Sequence, residues 1–279
     1  NQGVELAVGY TNNWGGFVWD SGLTFTFNEN VIKELAHGIP DPTTGVPVDV
    51  DEINKDWLGA SNVAPRVILR EGGSLSDIYA HHVIAHDLNG NVDVDNNGNI
   101  KMISVEPFKI GSLAPKANLG WSNTFSYEGL SLGVVLTARI GGVVYSATQG
   151  ILDYYGASQV SADVRDSGGI PVNYGLLPAE KYYTGISTAQ GGYAAYYTYD
   201  ATNIRLQELT LNYTLPKKWF NDKMRMTVGF VARNLAMIYC KAPFDPELSA
   251  ATGNNYYQGV DYFMLPSTRN LGFNVKFQF

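Results

Sequence analysis

The chain has 279 residues, of which 45% are hydrophobic and only 16% charged, against roughly a quarter charged in an ordinary soluble domain. Its formal charge of −7, from 19 basic and 26 acidic residues with no basic run, lacks the electrostatic footprint of a nucleic-acid binder. Cys240 is the single cysteine, which excludes an internal disulfide framework, and no run approaches the roughly 18 to 20 apolar residues of a membrane helix.

Aromatic residues make up 13% of the chain, with 18 Tyr and 5 Trp, and there are 30 Gly; this composition favours strands and turns and points to an all-β fold. Period-two alternation begins in Val4 to Tyr10 and returns in Phe17 to Phe27, as expected of strands with one apolar and one polar face. A long connection from Asn28 to Leu113 follows. It contains His81, His82 and His86, with no Cys or carboxylate at a zinc spacing. It also contains Asp93-Val-Asp95-Asn-Asn97-Gly98, which starts like a calcium loop. The twelfth position is Ser104, where such a loop carries a bidentate Glu. Asp93, Asp95 and Asn97 are therefore an incomplete calcium candidate beside the plainer reading of a turn rich in Asp, Asn and Gly, and no metal is expected.

Ala117 to Tyr127 and Leu130 to Tyr145 alternate again, the second with Thr137 and Arg139 on its polar side. The connection Ser146 to Asp200 is dense in tyrosine: Tyr154, Tyr155, Tyr182, Tyr183, Tyr196, Tyr197 and Tyr199. Their flat amphipathic faces suit a sugar ligand or a protein lid, and packing within the loop is the plainer reading. The strand around Leu209 to Leu215 carries Glu208 and Asn212 on its polar side, and its phase slips at Gln207-Glu208, which predicts a β-bulge. Met224 to Arg233 and Asn270 to Phe279 complete the series. The last places Leu271, Phe273, Val275, Phe277 and Phe279 opposite Asn270, Gly272, Asn274, Lys276 and Gln278.

About seven strands result, each near the roughly 9 to 11 residues that a tilted strand needs to cross a bilayer. Thr11 to Gly15, Glu128-Gly129 and Pro216 to Lys223 are tight connections; Asn28 to Leu113, Ser146 to Asp200 and Tyr239 to Thr268 are long. Short periplasmic turns alternating with long extracellular loops describe an antiparallel transmembrane β-barrel, and such loops are foreign to a compact soluble domain. Trp14, Trp19, Phe125, Tyr127, Trp219, Phe220, Phe277 and Phe279 gather toward the short-turn edge as an interfacial girdle, with the C-terminus periplasmic. Thr137, Arg139, Glu208, Asn212, Arg233, Asn274 and Lys276 are expected to line a lumen or hold a plug. Seven strands are fewer than the eight of the smallest barrels, so the remainder is expected upstream. No Gly-rich phosphate loop or nucleophile elbow is present; neither a cofactor nor an enzymatic activity is expected.

The residues that carry a family resemblance run along the whole chain: Asn1-Gln-Gly-Val-Glu5, Arg139-Ile-Gly-Gly142, Arg205-Leu-Gln-Glu-Leu-Thr-Leu-Asn-Tyr-Thr-Leu-Pro216, Ala232-Arg-Asn-Leu235, Phe244-Asp-Pro-Glu247, Gly259 and Leu265-Pro-Ser-Thr-Arg-Asn-Leu-Gly-Phe273. In this order and spacing the chain resembles the SusC/RagA-like TonB-dependent transporters of the Bacteroidota outer membrane. The resemblance implies that residues 1–279 are the C-terminal portion of a barrel of about 22 strands, with a plug domain upstream. It also implies a SusD-like surface lipoprotein as lid, energy from TonB, and an oligosaccharide or peptide ligand. Phe277 and Phe279 resemble the C-terminal signal read by the barrel assembly machinery. Two other readings stand beside import: a passive or adhesive outer-membrane wall, and a secreted carbohydrate-binding β-sandwich.

Overall fold

The computed structural model describes residues 1–56, 65–187, 193–248 and 259–279. Seven long strands form one sheet: β1 (Gln2–Trp14), β2 (Phe17–Glu29), β3 (Ala117–Tyr127), β4 (Leu130–Ile140), β5 (Asn203–Thr214), β6 (Arg225–Cys240) and β7 (Asn270–Gln278). They lie side by side in chain order, every neighbouring pair antiparallel. This is the expected antiparallel seven-stranded wall. Among the described residues β1 and β7 each have one neighbour in the sheet.

The cross-strand register sorts side chains by polarity across the whole sheet. One row runs Trp19, Phe125, Leu132, Leu211, Phe230, Phe273. The parallel row on the opposite face runs Val18, Ser126, Ser131, Asn212, Gly229, Asn274. Because a slip of one residue would exchange the two faces, this pattern pins the register. A phase slip falls where the alternation breaks: pairing with both neighbours shifts around Gln207, as a β-bulge requires, and the β5–β6 pairing shifts again between Ile204 and Arg205.

The tight connections share one edge. Gly15 and Gly16 (φ +58° and +94°) and Glu128 and Gly129 (φ +46° and +87°) make two-residue hairpins, with positive φ at both central residues as the sheet twist demands. The first differs from the expectation. β1 continues to Trp14 because the Thr11–Asp20 and Asn12–Trp19 pairs extend the ladder through a polar stretch whose periodicity is weak. The third connection, Pro216 to Lys223, is a 3-10 turn over Lys217–Phe220 followed by Asn221 and Asp222 at positive φ.

The three long connections emerge from the opposite edge and are not irregular loops. They build a common cap with one hydrophobic core, to which the first gives Val67, Ile78 and Val92, the second Tyr145, Tyr183 and Tyr197, and the third Val260. Within the cap, Glu52–Asp56, Arg66–Arg70, Asp77–Ile84 and Met102–Ser112 pair as a four-stranded antiparallel sheet. Val143–Ser146 pairs with Thr198–Asp200 and with Val260–Asp261, joining the second and third connections. The expected strand Leu130 to Tyr145 is thus two strands, broken at Gly141 and Gly142 (φ +74° and +80°) where the chain leaves the wall for the cap. Among the described residues three short helices complete it: α1 (Ala147–Tyr154), α2 (Gln159–Asp166) and α3 (Ala179–Ile186). Ser146 caps α1 by accepting from the Gln149 N–H (3.0 Å) and donates its hydroxyl to Asp261 (2.6 Å).

No helix among the described residues is long and apolar enough to cross a membrane. The wall itself presents an uncovered apolar face. Val4, Leu6, Val8, Leu211, Leu271, Phe273 and Val275 are each more than a third exposed. Uncovered apolar surface of this extent far exceeds the few hundred Å² tolerated on a monomer in water.

Candidate functional site

The polar face of the wall gathers most of the residues singled out as lumen-facing. Arg233 donates Nε to Glu208 at 2.8 Å across the β5–β6 pair. Asn212 and Asn274 flank Gly229, whose missing Cβ leaves room for both amides. Lys276 lies beside Thr227, and the Thr227 and Thr214 hydroxyls are 3.0 Å apart. Thr137 sits between Gly120 and Arg205. Arg139 has a more specific position: its guanidinium donates to the Leu113 carbonyl at 2.8 Å, so it fastens the wall to the cap.

On the apolar face, two indole N–H groups are paired. Trp19 donates its indole N–H to Asn123 (3.0 Å) and Trp121 to Ser21 (3.1 Å), which satisfies both donors within the sheet. Toward the short-turn edge, Trp14, Phe17, Trp19 and Phe125 form a contiguous belt with ring centroids 6.2 to 6.3 Å apart. Phe277 shares this face opposite Met226, and Phe279 follows β7 fully exposed.

The tyrosines divide. Tyr182, Tyr183 and Tyr197 are buried in the cap core, so they pack the cap and are not available as surface contacts. The reason is helical spacing: Ala179, Tyr182, Tyr183 and Ile186 form the buried stripe of α3. Tyr199 packs its ring edge-to-face on Phe244 at 5.6 Å. Tyr154 is half-buried, whereas Tyr155 and Tyr196 reach the surface.

Tyr154, Tyr155 and Tyr183 meet again at a cleft of about 430 Å³ between the three helices, with Asp153, Arg165, Glu180 and Thr184. Asp153 is 2% exposed, and its Oδ1 accepts from Gln149 Nε2 at 2.8 Å. Burial first, and then the Asp153 charge, raise the phenol of Tyr199 to about 12 and push that of Tyr197 up; burial, then Tyr196, Tyr193 and Asp153, raise Tyr182 to about 12, and burial raises Tyr196 against a lowering bond with Tyr183. Tyr183 is likewise raised by burial and then by Tyr196 and Asp153. These phenols stay neutral in ordinary water, leaving the carboxylates and Arg165 as the charges of the cleft.

The incomplete calcium candidate is occupied by its own turn. Asp95 accepts from the Asn97 and Asn99 N–H groups (2.8 Å each) and from Asn99 Nδ2 (3.0 Å), and those bonds, led by Asn99, hold its carboxyl below the usual range. Asp87 repeats the same turn eight residues earlier with Asn89 and Asn91. Asp93 is held by Lys101 (3.0 Å) and Asn173, and the Asn97 carbonyl receives Lys181. The donors face different partners and do not converge.

No family model matches the chain. Over 99% of its length it is 24% identical to TonB-dependent receptor P3 of Formosa agariphila, and over 89% it is 25% identical to TonB-dependent receptor SusC of Bacteroides thetaiotaomicron. The chain is SusC/RagA-like. It spans 28% and 24% of the lengths of those two proteins. Its fold matches the RagAB peptide transporter with a TM-score of 0.61 at 19% identity, and the RagAB peptide importer in its closed-closed state with 0.60 at 18%. Each match covers 99% of this chain and 28% of the solved one.

Two features of this SusC/RagA-like segment were invisible as sites in the sequence. The cleft residues Asp153, Arg165 and Glu180 carry no motif, because three helices assemble them. Arg205 and Asp245 form the junction between wall and cap: Arg205 donates to Asp245 through both terminal nitrogens (2.7 and 3.1 Å) and to Asn234 (2.9 Å). Both lie in the segments that carry the family resemblance, which was the available signal.

Proposed function

We propose that this chain is the C-terminal wall and outer cap of an outer-membrane active transporter, with the remaining strands and a plug supplied by other parts of the same protein. The reading is carried by the apolar face that continues across all seven strands, where the one charged side chain is Glu29 at the cap end of β2, with every long connection at one edge of the sheet. An outward Arg or Lys near the bilayer midplane would cost about 2 to 4 kcal/mol, and Arg139, Arg233 and Lys276 all fall on the other face. The tight turns then face the periplasm and the cap faces outward. Ligand, an oligosaccharide or a peptide, is taken up between the cap and a SusD-like lipoprotein, TonB displaces the plug, and the polar face carrying Thr137, Glu208, Asn212, Arg233, Asn274 and Lys276 lines the passage. Phe277 and Phe279 serve the barrel assembly machinery.

The test is uptake of labelled oligosaccharide and peptide pools by cells carrying the full-length protein, by a deletion strain, and by cells treated with a protonophore. Import requires that accumulation depend on both the gene and the proton gradient. Surface binding without energy-dependent accumulation would replace this reading with that of an adhesive or passive wall.

A further inference from the structure

We infer that the three-helix cleft of the cap is a recognition site for a primary ammonium group, with Asp153 as the countercharge at its floor. The cleft has room for a group of this size and more, about 430 Å³. Asp153 is almost completely buried, and among the described residues no Lys or Arg forms an ion pair with it. A buried carboxylate is unfavourable unless a positive group or several donors reach it; Gln149 and the Tyr197 phenol supply neutral donors, and a cation would add the countercharge. Arg165, on the facing wall, turns Nη1 to the Gly156 carbonyl (2.9 Å) instead.

The surroundings suit a compact cation. Tyr154 and Tyr155 meet edge-to-face at 5.0 Å on one side, with Tyr155 three-quarters exposed at the mouth, and Tyr183 lines the other side. Aromatic faces attract an ammonium through the ring quadrupole; Tyr155 offers one at the mouth, while Tyr183 is buried behind the wall and only shapes it, and Glu180 adds a second carboxylate at the rim. A neutral sugar would offer hydroxyl donors but would leave the Asp153 charge uncompensated. The ammonium could belong to a lysine side chain or amino terminus of a peptide, or to an amino sugar. The inference concerns binding alone. It goes beyond the transport reading, because a receptor that binds without importing would still satisfy it.

The experiment titrates purified full-length receptor in detergent with three matched pairs of probes, followed by calorimetry or ligand-detected NMR. The pairs are Ala-Lys-Ala and Ala-norleucine-Ala, both acetylated and amidated; Ala-Ala-Ala with free and acetylated amino terminus; and glucosamine with glucose. At least a tenfold preference for the amine member of one or more pairs is expected, and the pair that responds identifies the source. Asp153→Asn, which retains the acceptor for Gln149, should abolish the preference. Thr184→Trp, a substitution on the wall of the cleft, should block binding while leaving Asp153 in place; it decides the matter if the Asp153 variant fails to fold. Equal affinity within every pair, or a preference that survives both variants, would overturn the inference.

Discussion

Replacing Arg205 by Met tests how the cap is held to the wall. The guanidinium and the Asp245 carboxylate are 6% and 10% exposed, and their bidentate contact is joined by Asn234 and by Glu247, whose Oε2 lies 3.4 Å from Arg205 Nη2. Met fills a similar volume but leaves Asp245 buried without its partner. Removing one member of a buried pair costs about 3 to 5 kcal/mol, which is about a hundred- to a few-thousandfold in the equilibrium for detaching the 241–269 connection. Limited proteolysis of the full-length receptor, followed as the rate of cleavage between residues 241 and 269, reads that opening. The double change Arg205→Met with Asp245→Leu should recover most of the protection, since neither charge then remains. Burial alone would raise the Asp245 carboxyl, but the bonds from Arg205 and Ser267 hold it below its ordinary value. The pair's contribution is therefore complete above about pH 4, the unfolded value, and is lost as pH falls through the lower folded value. A cleavage rate within twofold of the parent in Arg205→Met would refute this account of the junction.

Two further outcomes follow from the register and the terminal strand. Phe273→Arg places a cation mid-strand on the apolar face and should cost about 2 to 4 kcal/mol in bilayer stability, whereas Asn274→Arg on the polar face should fall within about 0.5 kcal/mol of the parent; unfolding from vesicles compares them, and equal losses would remove the distinction between the faces. Deleting Phe279 from the full-length protein should lower its surface level at unchanged synthesis, measured by antibody against an outer epitope, and normal surface levels would deny the terminal aromatic a role in assembly.

The wall was legible because one apolar and one polar face impose period two on every strand. The same logic located the bulge at Gln207, where Leu206 and Leu209 fall out of phase, and the hairpin at Glu128-Gly129, where positive φ is required twice. The polar end of β1 was harder, because Thr11, Asn12 and Asn13 follow neither pattern strictly and only their partners on β2 extend the strand. The cap was least legible. Its core draws Ile78, Tyr145, Tyr183, Tyr197 and Val260 from three separate connections, so no single segment displays a recognisable repeat. For Tyr182 and Tyr183 the sequence left loop packing and ligand or lid contact side by side, because the four-residue stripe of α3 is short and its residues are amphipathic. Asp153 became notable only when folding placed it beneath a cleft where, among the described residues, no cation forms an ion pair with it.

The central claim, that one face of the wall meets lipid and the other does not, is tested most directly on β5. Single cysteines from position 209 to 214, introduced into the full-length protein with Cys240→Ser and reconstituted in vesicles, can each carry a fluorophore. Brominated lipid should quench labels at Leu209, Leu211 and Tyr213 and spare those at Thr210, Asn212 and Thr214, in strict alternation. Quenching that is uniform along the strand, or strongest at the polar positions, would contradict the account.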